Sequence, residues 1–77
     1  MTLTIHTSIH GGAVLLDGQP VFCAGGKNGK YRAEAYYELA LRGRTRKSSR
    51  MASASGISYK TGEEAVALRQ LLKGEKE

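Results

Sequence analysis

The dipeptide Asp17-Gly18 lies between two mostly apolar runs, Ala13-Val14-Leu15-Leu16 and Gln19-Pro20-Val21-Phe22-Cys23-Ala24. A two-residue hairpin connection of type I′ needs positive φ at both central positions, and Asp-Gly is one of the few pairs that supply it at little steric cost. An antiparallel hairpin is therefore predicted here, with its register counted outward from the turn. Leu16 faces Gln19, Leu15 faces Pro20, Val14 faces Val21 and Ala13 faces Phe22. That register puts Ala13, Leu15, Phe22 and Ala24 on one face, the expected core side. Pro20 has no N–H for a ladder, which places the third strand at a sheet edge.

Upstream, Leu3, Ile5, Thr7 and Ile9 alternate with Thr4, His6, Ser8 and His10, the period-two pattern of a half-buried strand, with the odd face expected inward. Gly11-Gly12 breaks this run. With the third strand at an edge, the second lies between the first and the third, and a three-stranded antiparallel meander results.

Gly25-Gly26-Lys27-Asn28-Gly29 reads as a loop, and from Lys30 the apolar period becomes helical. Tyr31, Ala35 and Leu39 form one stripe, flanked by Tyr36, Tyr37 and Ala40. Glu38 and Arg42 stand i,i+4 in the favourable order, and Gly43 suits the position just past the helix end. Residues 51–60 alternate only loosely, which leaves a fourth strand or an ordered loop. Thr61-Gly62-Glu63-Glu64 matches a capping box and opens a second helix with Ala65, Leu68, Leu71 and Leu72 as its apolar stripe, Arg69 and Lys73 near its end, and Gly74 as its stop. The expectation is an α+β domain over residues 1–74, a small antiparallel sheet packed with two α-helices in the order β-β-β-α-(β)-α, followed by a flexible tail at 75–77.

At 77 residues there is room for one thin core, since a domain of this size buries only about 60% of its unfolded surface. The single Cys23 excludes an internal disulfide, and the Met1-Thr2-Leu3-Thr4-Ile5-His6 start lacks the basic and apolar regions of a secretory signal. A cytoplasmic location is the expectation. No apolar run approaches the roughly 20 residues of a membrane span.

The charge is concentrated. Residues 42–50 hold five basic side chains, Arg42, Arg44, Arg46, Lys47 and Arg50, and no acid, while the other 68 residues carry seven Lys/Arg and seven Asp/Glu. The whole net charge of +5 thus belongs to one segment. A single cationic patch on a neutral body is the footprint of an anion-facing surface. Five phosphate contacts would give a log-log salt slope of about −4.5 on duplex DNA. After the first helix, these residues would also sit near the negative end of its dipole.

Lys27, Gly29 and Lys30 form a second candidate anion site, where a glycine loop opens a helix. A Walker A loop is excluded, because its first glycine is Ala24 and its magnesium-holding Ser/Thr is Tyr31. His6 and His10 are about 13 Å apart at strand rise, too far for one metal, and with Cys23 they show no zinc spacing. No metal site or cofactor is expected. Tyr36 and Tyr37 are adjacent and cannot both be buried, which marks them as a candidate partner surface.

No paired-carboxylate or Ser/His/Asp constellation is present, so the reading is a non-enzymatic binding protein. Its first expected partner is nucleic acid or a nucleoprotein complex, held through residues 42–50. One alternative is a small phage or mobile-element inhibitor or adaptor, anti-CRISPR-like in size and lack of catalytic groups, docking on an acidic protein surface. Another is a homo-oligomeric structural protein, with a homodimer as its simplest form.

Overall fold

A computed structural model describes residues 1–75. The elements are β1 (Leu3–Ser8), β2 (Gly11–Leu16), β3 (Gln19–Gly25), α1 (Gly29–Arg42), α2 (Arg46–Ser55) and α3 (Tyr59–Glu75). The three strands form one antiparallel sheet in the order β1-β2-β3. The fold is the expected α+β meander with helices, but it has three helices, and no fourth strand occurs among the described residues. The tail at 76–77 lies outside the described residues.

Asp17 and Gly18 both adopt positive φ, 52° and 82°, and make the two-residue turn. The expected pairing holds for Leu16 with Gln19 and Leu15 with Pro20, then slips by one residue. Val14 faces Phe22 and Ala13 faces Cys23, leaving Val21 as the extra residue of a bulge. The slip follows directly after Pro20, which has no N–H with which to continue the ladder. A one-residue slip exchanges the faces. The inner face is therefore Ile5, Val14 and Phe22 in one row and Thr7, Gly12 and Ala24 in the next, while Ala13 and Leu15 turn to the outer face, contrary to the register counted from the turn.

On β1, Leu3 and Ile5 pack against the core as the alternation predicts. Ile9 does not: it is 89% exposed, because the chain turns at Ile9-His10 before the Gly11-Gly12 pair. Those two glycines belong to β2, where a Cβ on Gly12 would stand 2.6 Å from the Ala33 Cβ. Close approach of α1 to the sheet needs this glycine.

α1 touches all three strands and both other helices. Its buried side chains are Ala33, Ala35, Tyr36, Leu39 and Ala40, with Tyr36 stacked on Phe22 at 4.7 Å between ring centres. Tyr31 falls outside this stripe and is 56% exposed. Ala65 and Leu68 of α3 complete the core with Leu72 packed at its margin, whereas Leu71 lies on the solvent side. α3 begins two residues before the expected capping box. The Ser58 hydroxyl takes the N-cap role, accepting from the Thr61 N–H at 3.2 Å, and the helix continues through Gly74.

Among the described residues, no helix is long and apolar enough to cross a membrane.

Candidate functional site

Residues 51–60, expected as a strand or loop, instead contribute the second half of α2, the short link at 56–58 and the start of α3. α2 starts at a capping box: the Thr45 hydroxyl accepts from the Ser48 N–H at 3.0 Å, and the Ser48 hydroxyl accepts from the Thr45 N–H at 2.8 Å. It ends at Gly56, which adopts the left-handed conformation with φ 78°. The sequence signals for this helix are its caps, together with Arg, Lys, Met and Ala as good helix formers. The usual signal is missing because its inward side is made of small residues, Ser48, Ala52 and Ser55, which carry no apolar periodicity. Ser48 is fully buried and its hydroxyl donates to the Gly43 carbonyl at 2.8 Å, so this polar contact seats α2 on the end of α1.

The helix divides the basic segment. Arg42, in the last turn of α1, forms the expected ion pair with Glu38 at 2.6 Å. Arg44 lies in the connection, pairs with Glu63 of α3 at 2.5 Å and sits 5.8 Å from the centre of the Tyr59 ring. That pairing holds the Glu63 carboxyl below its ordinary value, chiefly through the hydrogen bond from Arg44. Arg42 and Arg44 are thus engaged with the body of the fold.

Arg46, Lys47 and Arg50 differ. At about 100° per residue they fall within one arc of about 100° on the side of α2 opposite Ser48, Ala52 and Ser55. All three are exposed, and none has an ion-pair partner among the described residues. Arg46 and Lys47 occupy the first turn, which contains no acid. Of the basic residues that follow α1, these two open α2 and meet its positive end, where helix electrostatics disfavour them.

The second candidate disperses. Gly29 is the first residue of α1, its N–H donates to the Gly26 carbonyl at 3.1 Å, and a side chain there would run into the Ala24 carbonyl. Packing accounts for this glycine, and the exposed side chains of Lys27 and Lys30 are what remains of the site. Tyr36 is 5% exposed, its hydroxyl pKa raised first by burial and then by the nearby Glu64 charge. It is a core residue, and Tyr37 is half-buried beside the core. His6 stands on β1, His10 in the following turn and Cys23, exposed, on β3; no three metal-ligating side chains converge among the described residues.

Beside the cationic arc, α1 and α2 enclose a groove of about 370 Å³ lined by Asn28, Tyr31, Glu34, Met51, Ala54 and Ser55. Lys47 and Arg50 stand one turn before Met51 and Ala54 on the same ridge of α2. Comparison with protein families, curated proteins and solved structures finds no match to this chain.

Proposed function

We propose that this protein binds nucleic acid, free or within a nucleoprotein complex, and that Arg46, Lys47 and Arg50 hold backbone phosphates. One observation carries the reading. Three cations without carboxylate partners among the described residues share one exposed arc, and two of them lie where the helix dipole disfavours positive charge. A phosphate between them would reverse that term, because anions are favoured at helix N-termini and Arg offers bidentate donors to phosphate. Arg42 and Arg44 neutralise Glu38 and Glu63 and contribute little to the field at the surface. The role is one of binding, not catalysis, and recognition through a patch of this kind is directed at the backbone and tolerant of sequence.

The test is a salt series on generic duplex and single-stranded DNA and RNA, comparing wild type with the triple variant Arg46→Gln, Lys47→Gln, Arg50→Gln. Three phosphate contacts correspond to a log-log slope of about −2.7 on duplex DNA, which the variant should lose. An unchanged slope would place the contacts elsewhere. Absence of wild-type binding at low salt to every nucleic acid would refute the proposal and favour an acidic protein surface as the partner.

A further inference from the structure

Charge is distributed unevenly along this chain in a second way. Asp17, at the hairpin turn, is the only charged side chain among residues 1–26, which hold the entire sheet; the other 18 of the 19 charged side chains lie in residues 27–77. α1 covers only the inner face of that sheet. The outer face presents Thr4, Leu15 and Pro20 in one row and His6, Ala13 and Cys23 in the next, with no formal charge on it at neutral His. The neutrality includes β1, whose six residues hold no Asp, Glu, Lys or Arg, so two copies of its edge would meet without like-charge repulsion.

The two edges of the sheet are also unlike. β3 is blunted by Pro20 and by the bulge at Val21. β1, Leu3–Ser8, has neither proline nor Lys, pairs with β2 without a register shift, and among the described residues is covered by no further strand. These are the devices that keep edges from pairing, and β1 lacks them. The Thr2 carbonyl accepts from the Asp17 N–H at 2.9 Å, and the Thr2 N–H donates to the Asp17 side chain at 2.8 Å. Even-numbered residues of this strand therefore turn their backbone groups toward β2, and Leu3, Ile5 and Thr7 turn theirs to the open edge.

We infer that β1 is a dimerisation edge, pairing antiparallel with β1 of a second copy to make one continuous six-stranded sheet. A strand edge is self-complementary under a twofold axis, and a neutral surface offers neither an acidic nor a basic partner anything to pair with. Pairing the outward-facing residues sets Leu3 opposite Thr7 and the two copies of Ile5 opposite each other. Leu3 and Ile5, half-buried at the margin of the core, then continue the core from one copy to the next. The twofold axis runs perpendicular to the sheet, so both helical layers, and with them both cationic arcs, lie on the same side. The pairing does not depend on what those arcs bind.

Mass by sedimentation equilibrium, from micromolar to millimolar protein, should rise from 8.3 kDa to twice that value. Amide exchange on the wild type should show Leu3, Ile5 and Thr7 protected in concentrated solution and released on dilution. Thr7→Pro removes an outward N–H without touching the bonds to β2, and should weaken the dimer about tenfold or more. A monomer at all concentrations overturns the inference, as does a dimer whose Ile5 and Thr7 amides exchange freely. The exchange measurement uses the native chain and decides the matter even if the proline variant fails to fold.

Discussion

Ser48→Ala should destabilise this protein more than any other loss of a single oxygen in α2. The Ser48 side chain is fully buried, and its hydroxyl donates to the Gly43 carbonyl at 2.8 Å while accepting from the Thr45 N–H at 2.8 Å. Truncation leaves the buried Gly43 carbonyl without this donor, a loss of about 1–3 kcal/mol. It also removes one half of the capping box, worth about 0.5–1 kcal/mol because Thr45 remains open to water. The better helix propensity of Ala returns up to about 0.5 kcal/mol. The net cost is about 2 kcal/mol, against a total stability of about 4–12 kcal/mol for a chain of this length. Urea unfolding followed by far-UV circular dichroism should show the midpoint falling at constant m, and thermal unfolding should show Tm lower by about 8–15 °C. Ser49→Ala, an exposed neighbour, should change stability by less than about 0.5 kcal/mol. A loss that small at Ser48 would refute the assignment of this hydroxyl as the seat of α2.

Gly12→Ala places a methyl 2.6 Å from the Ala33 Cβ, between a strand and a helix that cannot move independently, and should cost about 1–3 kcal/mol in urea unfolding. A neutral result would mean that α1 can ride further from the sheet. Because Arg44 depresses the Glu63 pKa in the folded state, that pairing contributes to stability above the unfolded-state pKa and is lost as pH falls through the lower folded-state value. Carbon-detected NMR titration should therefore find Glu63 below the ordinary glutamate range in the wild type and shifted upward in Arg44→Gln; identical values would remove Arg44 as the cause.

The hairpin turn at Asp17-Gly18, the meander, α1 from its apolar spacing and the Glu38–Arg42 pair were all legible in the residues, because each rests on contacts within a few positions along the chain. The face of β2 was not. Counting from the turn assumes an unbroken ladder, and the bulge after Pro20 moved Val14 into the core and Ala13 out of it. α2 escaped notice for a related reason: its buried side consists of Ser48, Ala52 and Ser55, and its seat on α1 is a hydrogen bond that no hydropathy pattern encodes.

The candidate site divides along the same line. Sequence alone located the cationic segment, since formal charge needs no fold to be counted, and it also set the class of the fold, since turn chemistry and apolar period act locally. Only the tertiary structure separated Arg42 and Arg44, bound to Glu38 and Glu63, from Arg46, Lys47 and Arg50, which one helix gathers on one exposed arc. Glu63 lies 19 residues from Arg44, a pairing that exists only once α3 has packed against α1. Which charges are paired within the fold and which stay exposed is a property of folded geometry, because charges attract by distance in space.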